Sequence, residues 1–348
     1  MYKCCLDIVA VGSLLLCSCI HLPMTIDSAI GGVEGDIDEL LDTYTNSHLD
    51  YGCDMQLLVD GEASYRAFVD LIESARDHVN IETLYFDDDS KYDWDVAMEL
   101  ALLLTEKVRQ GVQVNVILDP LVQQYYAGSR IADVLREGGV NVVPYFPTWK
   151  EVCIELLLYR THKKLMIVDG KQAIIGGMNF GYVYLAPDQW RDTNVLLTGP
   201  VVATMQREFL YDWELLGGSV GDEDRFFPSL TATGDLAVRS IDQRPAEYDF
   251  DINNMLLLTL RSAQEYIDIQ APYFNPSDWL LDELLQAAGR GIRIRILTNS
   301  DVSVDVIEAY YAAFFWFEIL LNGGVEIYLW GLNERTLHSK AMVVDGRL

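Results

Sequence analysis

The chain has 348 residues and a mass of 39.4 kDa, which suits two domains of ordinary size, and half of its residues are apolar, enough for a sizeable core. Its 53 acidic and 25 basic residues give a net charge of −28 and a pI near 4.3. Because nucleic-acid affinity depends on Lys and Arg displacing counterions, this charge disfavours nucleic acid as a partner, whereas a local basic pocket for one phosphate remains compatible with it.

The N-terminus has the pattern of an exported protein. The apolar run Ile8–Ile20 is shorter than the roughly 20 residues that cross a bilayer, but it suits the core of a signal peptide. It contains Leu16-Cys17-Ser18-Cys19, which resembles a bacterial lipobox and predicts lipidation at Cys19; the alternative is a buried N-terminal helix. We therefore expect residues 1–19 to be a signal and lipoprotein segment that directs the protein to the bacterial cell envelope, and residues 20–54 to be a tether.

Two further cysteines remain if Cys19 is acylated. Cys53 and Cys153 either pair in an oxidising compartment or stay as buried thiols.

From about Met55 onwards, strand-like apolar runs alternate with helical ones. Residues 64–75 and 96–109 have helical spacing, and residues 79–86 and 112–118 have the pattern of strands. This alternation predicts an α/β fold in which helices pack over a largely buried sheet.

The second half of the chain repeats the order of the first. Four segments match in sequence: His78–Phe86 with Tyr266–Phe274, Arg109–Val114 with Arg290–Ile294, Gly138–Val140 with Gly323–Val325, and His162–Lys171 with His338–Arg347. We therefore predict two copies of one α/β unit, residues 55–216 and 236–348, joined by a linker over residues 217–235 that contains Gly, Asp and Pro.

Two of the five His residues lie in the pattern H-x-K-x-x-x-x-D, once in each half. On a strand, residues two apart point to the same face, so His162 with Lys164 and His338 with Lys340 are predicted to project together. Two imidazoles and two ammonium groups around one space suit a phosphodiester: the lysines hold non-bridging oxygens, one His attacks phosphorus and the other protonates the leaving oxygen. No metal or cofactor is implied, because the ammonium groups supply the positive charge. One copy alone would be explained as well by a solvated polar face.

This pair of motifs resembles the HKD signature of the phospholipase D superfamily, over about residue 55 to the end of the chain. The surrounding sequence is similar to that of bacterial cardiolipin synthases and their phosphatidyltransferase relatives, and the matching segments are Gly176–Asn179, Trp190–Pro200, Phe209, Asp212-Trp213 and Ala271–Pro276. The resemblance implies two repeated α/β units whose mixed sheets pack together.

The resemblance also implies roles for particular residues. His162 matches the nucleophile, Asn179 the phosphate ligand and Asp192 the carboxylate that orients the His; a loop cap beside Trp190 is the alternative for Asp192.

The Asp of each motif, Asp169 or Asp345, belongs to the candidate catalytic set of the signature. Each lies an odd number of residues from its Lys, so on a straight strand it faces away from the site, and we interpret both as turn formers before Gly170 and Gly346.

The family pattern continues past the second motif into another strand, a second phosphate-binding Asn and a second carboxylate, whereas this sequence ends at Leu348. We expect the second unit to be incomplete, either as a fragment of a longer reading frame or as a truncated product.

Three other features permit a structural interpretation. Asp87–Asp89 predicts a solvated acidic turn rather than a calcium loop, because the Gly and Glu spacing of such a loop is missing. Phe86 and Phe274 suit the core, whereas Tyr85 and Tyr273 suit either the core or a pocket wall. The apolar helix over residues 312–321 is predicted to be buried against the second sheet rather than in contact with a membrane.

The sequence therefore predicts an exported, membrane-associated phosphatidyltransferase that cleaves and transfers a phospholipid phosphodiester through a phosphohistidine. Its partners would be an anionic phospholipid and the membrane surface, with no obligate protein partner because both motifs lie in one chain. The alternatives are a phosphodiesterase or nuclease of the same superfamily, against which the net charge weighs, and a truncated non-catalytic lipoprotein.

Overall fold

The computed structural model describes residues 35–123, 128–145, 160–244, 247, 249–331 and 335–346. The predicted signal segment with Cys19, and also Cys153, lie outside the described residues. Cys53 is a buried free thiol. Among the helices of the described ranges, none combines the length and the apolar character that crossing a bilayer requires.

The described elements are twelve strands, ten helices and two 3₁₀ turns, Asp89–Lys91 and Glu223–Phe226. The strands are β1 Leu49–Val59, β2 His78–Thr83, β3 Gln113–Leu118, β4 Asn141–Pro144, β5 Leu165–Val168, β6 Gln172–Gly176, β7 Thr193–Thr198, β8 Leu236–Arg239, β9 Tyr266–Gln270, β10 Arg293–Asn299, β11 Glu326–Trp330 and β12 Ala341–Val344. The helices are α1 Ile37–Tyr44, α2 Asp60–Ser74, α3 Val96–Arg109, α4 Pro120–Val122, α5 Arg130–Glu137, α6 Tyr182–Leu185, α7 Val201–Leu215, α8 Asp251–Ser262, α9 Asp278–Gly289 and α10 Ile307–Asn322.

These elements form two compact units, each with its own sheet. Among the described residues, the eight-stranded unit comprises those within 49–145 and 160–240, with the strand order β4-β3-β2-β5-β6-β7-β1-β8. The four-stranded unit comprises the described residues within 35–48 and 241–346, with the order β11-β10-β9-β12. The predicted α/β class is confirmed.

The predicted duplication is confirmed by strand pairing. In the eight-stranded unit β2 is parallel to β3 and antiparallel to β5, and β3 is parallel to β4. In the four-stranded unit β9 is parallel to β10 and antiparallel to β12, and β10 is parallel to β11. Equivalent residues pair with equivalent residues, since His78 lies opposite Gln113 and Tyr266 lies opposite Arg293.

Helices cover both faces of the central strands in the eight-stranded unit. Apolar residues of α2, α3 and α5 pack with Val79 and Ile81 of β2 in one cluster. Apolar residues of α7 pack with Leu165 and Ile167 of β5 in another. Every residue of β2 is consequently buried, including the polar side chains of His78, Asn80 and Glu82 that alternate with its apolar ones.

The segments predicted as tether and linker contain ordered structure. The described part of the tether includes α1 and the start of β1, and α1 is joined to α8 by the Nδ2 of Asn254, which donates to the carbonyl of Tyr44 at 2.9 Å. Within residues 217–235, the buried Phe226 ring packs at a tilt against the His78 ring, with 4.6 Å between ring centroids, and Arg225 forms an ion pair with Asp77 at 2.8 Å. The predicted linker is therefore part of the eight-stranded unit.

A polar row crosses equivalent strands in both units. In the eight-stranded unit it consists of asparagines: Asn115 donates to Asn80 at 2.8 Å, and Asn141 donates to Asn115 at 2.9 Å. Asn80 also donates to Gln206 of α7, at 3.2 Å. In the four-stranded unit the equivalent row is charged and half exposed, with Arg295 lying between its strand partners Asp268 and Glu326.

Helix α10 is only partly buried, so one prediction needs correction. Ala313, Phe317 and Leu320 are buried as expected, but Phe314 and Phe315 are 57% and 70% exposed. A helix that is apolar around its whole circumference can bury only the stripe that faces its sheet, and the sequence does not reveal that stripe.

Candidate active site

The H-x-K segments lie directly before equivalent strands, in residues without regular secondary structure, rather than within the strands as predicted. His162 and Lys164 precede β5, and His338 and Lys340 precede β12. In both copies the Lys Nζ donates to the carbonyl of the His two residues earlier, at 2.7 Å. The duplicated motif therefore makes the same Lys-to-carbonyl hydrogen bond in both copies.

The two copies differ in exposure. His162 is exposed and Lys164 is buried, whereas His338 is buried and Lys340 is exposed. Lys340 Nζ lies 3.1 Å from each ring nitrogen of His338, so this pair projects together as predicted. The first imidazole is thus the more accessible one.

Asn179 and Asp192 lie in the same unit as His162, and both are buried. Thr83, the last residue of β2, donates its hydroxyl to Oδ1 of Asn179 at 3.4 Å. Asp192 Oδ1 accepts from the backbone N–H of Thr193 at 2.7 Å, a contact that the loop-cap alternative also predicts.

The Gly-Gly turn before Asn179 has a steric cause. A Cβ on Gly177 would lie 2.4 Å from Oδ1 of Asp192, and a Cβ on Gly176 would lie 2.2 Å from Oδ1 of Asn194. The N–H of Gly176 donates to the carbonyl of Lys164 at 3.3 Å. This close approach connects the chain that carries Lys164 with the turn that leads to Asn179 and with the carboxylate of Asp192.

Asp169 and Asp345 have the same surroundings in the two units. Each has a φ of 52°, in the left-handed region, and directly follows β5 or β12. Asp169 accepts from the backbone N–H groups of residues 76, 77 and 78, and Asp345 from those of residues 264, 265 and 266. The contacts described for both carboxylates hold the loop that enters the neighbouring strand.

Several charged residues close to the first motif were missed by the sequence reasoning. Glu82 of β2 accepts the hydroxyl of Thr161 at 2.5 Å, and Lys163 forms an ion pair with Asp212 of α7. Arg160 forms a bidentate pair with the buried Asp119, with both contacts at 2.6 Å. The sequence signal that could have indicated the role of Glu82 is its position as a carboxylate in a strand predicted to be buried.

The aromatic residues after β2 have separate environments. Phe86 is buried and stacks on Phe180 at 4.3 Å, in the core as predicted. Tyr85 is half-buried, and its hydroxyl lies 3.1 Å from that of Tyr184. In the four-stranded unit Phe274 is buried, and the hydroxyl of Tyr273 donates to Asp305 at 2.5 Å.

The acidic turn Asp87–Asp89 is not wholly solvated, contrary to the prediction. Asp89 is fully buried and accepts from the N–H groups of Tyr182 at 2.9 Å and Ala97 at 3.2 Å, because it joins the 3₁₀ turn to α3 and α6. Burial raises the pKa of Asp89 to about 6, and the charges of Asp87 and Asp95 act in the same direction. Within the described ranges, no group of three or more His, Cys, Asp or Glu side chains is arranged to hold a metal ion.

A duplicated α/β unit with an H-x-K segment before the equivalent strand of each copy defines a phospholipase D-like protein. The chain belongs to the family described as cardiolipin synthase, PLD-like domain, which matches residues 68–213 and 256–348. The predicted family resemblance is thereby confirmed.

Individual proteins agree with this assignment. The chain is 29% identical to cardiolipin synthase 2 of Bacillus anthracis over 307 residues, which are 86% of this chain and 58% of that protein. It is 31% identical to the cardiolipin synthase of Geobacillus thermodenitrificans over 298 residues, 84% of this chain and 57% of that protein. The chain thus spans less than two thirds of the length of these relatives.

A solved structure supports the fold. The phosphatidylserine synthase of Haemophilus influenzae superposes with a TM-score of 0.63 at 16% identity, covering 89% of this chain and 81% of that one. This likeness shows a shared fold.

Proposed function

We propose that this chain is a phosphatidyltransferase of the cardiolipin synthase type, which cleaves a phospholipid phosphodiester and transfers the phosphatidyl group to an alcohol. The observation that carries the proposal is the recurrence of the H-x-K segment, with the same Lys-to-carbonyl hydrogen bond, in a chain of this family. That both motifs act on one phosphodiester is part of the proposal.

In the first half-reaction, a ring nitrogen of His162 attacks phosphorus and a P–N bond forms. The bond from phosphorus to the headgroup oxygen breaks, and the protonated ring of His338 gives its proton to that oxygen, so that a free alcohol leaves. Exposure of the His162 ring suits attack on a lipid phosphate, and this is why we assign the nucleophile to His162 rather than to the buried His338.

In the second half-reaction, His338 takes the proton from the acceptor hydroxyl, whose oxygen attacks phosphorus while the P–N bond breaks. Lys164 and Lys340 neutralise the non-bridging oxygens throughout. Asn179 donates its amide N–H to the same phosphate, with its amide oxygen held by Thr83. Asp192 accepts from a ring N–H of His162 and thereby fixes the tautomer of that ring.

The substrate would be an anionic phospholipid at a membrane surface. We propose that the protein reaches that surface after export, through lipidation at Cys19. Mass spectrometry of the membrane fraction tests this: a diacylglyceryl group on Cys19 is expected, and its absence together with an intact N-terminus would refute export by this route.

The transfer proposal is tested with the full 348-residue chain and phosphatidylglycerol vesicles in the presence of a primary alcohol. We expect a phosphatidyl-alcohol product and an acid-labile phosphoprotein, both lost in His162→Asn and retained in His48→Asn, a control whose imidazole lies outside both motifs. Release of headgroup without alcohol transfer would indicate a phosphodiesterase instead. No headgroup release at all would refute the enzymatic proposal for this chain.

A further inference from the structure

Lys163 of the first H-x-K segment contacts two carboxylates, those of Glu82 and Asp212. None of these three residues takes part in the proposed half-reactions. We propose that Lys163, Glu82 and Asp212, here called the Lys163 clamp, are positioning residues that hold His162 and Lys164 in place. This inference rests on the proposed function for its catalytic consequence, but its structural part can be tested without any activity.

The clamp is formed by the residues that alternate in sequence with His162 and Lys164. Within the segment, Lys164 Nζ donates to the backbone carbonyl of His162. Thr161 and Lys163 both contact Glu82: the Thr161 hydroxyl donates to Oε1 of Glu82 at 2.5 Å, and Lys163 Nζ lies 3.8 Å from Oε2 of Glu82. The residue between His and Lys is therefore an anchor for the segment.

The anchor points belong to rigid elements. Glu82 lies in β2, where it pairs with Leu165, the first residue of β5. Asp212 lies in α7, next to Trp213, which is buried in the core of the same unit. Lys163 contacts both carboxylates, so it connects the H-x-K segment to a central strand and to a covering helix at once.

Burial makes these ion pairs hard to open. The side chains of Glu82, Asp212 and Lys163 are 0%, 6% and 24% exposed. Separating a cation from two carboxylates in such surroundings leaves buried charge without compensation, which is costly. The Lys163 side chain therefore has one favourable position, and the backbone of residues 161–164 is held with it.

The other copy of the motif lacks this device. The repeat alignment places Ser339 at the position of Lys163 and Gln270 at the position of Glu82, and neither residue is charged. The clamp is thus specific to the segment that carries His162. Holding a group in line with phosphorus accelerates the chemical step, and the proposed function assigns the attack to His162.

The test compares Lys163→Met, which keeps the alkyl chain without the charge, with Lys163→Arg, which keeps the charge. A matched control is Arg225→Met, which breaks the ion pair with Asp77 at the opposite end of β2. Two quantities are measured for each variant: hydrogen exchange of peptides covering residues 160–166, and kcat and KM for transfer to a primary alcohol.

We expect Lys163→Met to lower kcat about 100-fold with KM changed less than about twofold, because misplacement of about 1 Å has an effect of this size on the chemical step. Exchange should rise in residues 160–166, Lys163→Arg should recover most of kcat, and Arg225→Met should change neither quantity. An unchanged kcat in Lys163→Met, or an equal loss in Arg225→Met, would overturn the catalytic part of the inference.

The exchange measurement separates this inference from the proposed function. If the wild-type chain transfers nothing, the proposed function fails, and exchange alone then decides the clamp. A rise confined to residues 160–166 in Lys163→Met supports the clamp, whereas unchanged exchange there refutes it.

Discussion

Replacing Asp169 with Asn should destabilise the eight-stranded unit without slowing the chemical step. The Asp169 carboxylate accepts three backbone N–H groups, from residues 76, 77 and 78, at distances between 2.8 and 3.2 Å. A hydrogen bond to a charged group contributes about 1.5–3 kcal/mol when it is well shielded, and less where water competes, as it does at the exposed Arg76. Asn keeps one acceptor oxygen and tolerates the left-handed backbone at φ 52°.

The magnitude follows from these contacts. Losing the charge and one acceptor should cost about 2 kcal/mol in Asp169→Asn. Asp169→Ala loses all three hydrogen bonds and adds about 1 kcal/mol of left-handed strain, for a total of about 4 kcal/mol. For a unit of this size, each kcal/mol lowers the melting temperature by about 2–4 °C, so we expect decreases of about 6 °C and 12 °C.

Thermal unfolding followed by circular dichroism gives the stability, and transferase activity well below the transition gives kcat. Asp345→Asn is the matched variant in the four-stranded unit, since Asp345 accepts from the three equivalent backbone N–H groups, those of residues 264, 265 and 266. An Asp169→Asn protein with an unchanged melting temperature and a kcat at least 100-fold lower would refute this reasoning and assign the carboxylate to catalysis.

Two further predictions concern buried groups of the eight-stranded unit. Because the pKa of Asp89 is about 6 in the folded state and lower in the unfolded chain, folding stability attributable to this group falls as pH rises between about 4 and 6. Asp89→Asn should therefore gain up to about 3 kcal/mol relative to wild type between pH 4 and pH 7.5 in urea titrations, and a pH-independent difference would contradict this. Gly177→Ala should displace the Asp192 carboxylate, which would lie 2.4 Å from the new methyl group, and lower kcat by at least about tenfold. Gly289→Ala, where the methyl group meets nothing within 4 Å, should leave kcat unchanged; equal behaviour of the two variants would show that the close approach to Asp192 does not matter.

Much of the fold was predictable because the two halves of the sequence repeat the same order of segments. The helix over residues 96–109 has the predicted bounds, since Asp95 caps its start and Gly111 follows its end with a positive φ. The matched segments of the two halves became equivalent strands with the same pairing, because apolar strand patterns and turn residues are local signals.

The part that could not be predicted depends on contacts distant in sequence. The ion pair of Lys163 depends on Asp212 of α7, 49 residues further along the chain. The segment Asp87–Asp89 alone predicts a solvated acidic turn, whereas Asp89 is buried because it accepts from the N–H of Tyr182 in α6. The first H-x-K segment lies before β5 rather than in it, because the pairing of β2 with β5 ends at Glu82 and Leu165. Beyond that point, the Glu82 side chain accepts the hydroxyl of Thr161.

The asparagine row of β2, β3 and β4 limits how the first copy can diverge from the second. Asn80 and Asn115 are buried side by side, and each amide both gives and receives a hydrogen bond, so exchanging one of them for Asp or Arg would bury a charge beneath α7. The equivalent Asp268 and Arg295 remain half exposed, where water lowers the cost of charge. We therefore expect charged residues to be tolerated along this row in the four-stranded unit, where the row is half exposed. In the eight-stranded unit, a change of one asparagine would have to be accompanied by a change of its neighbours.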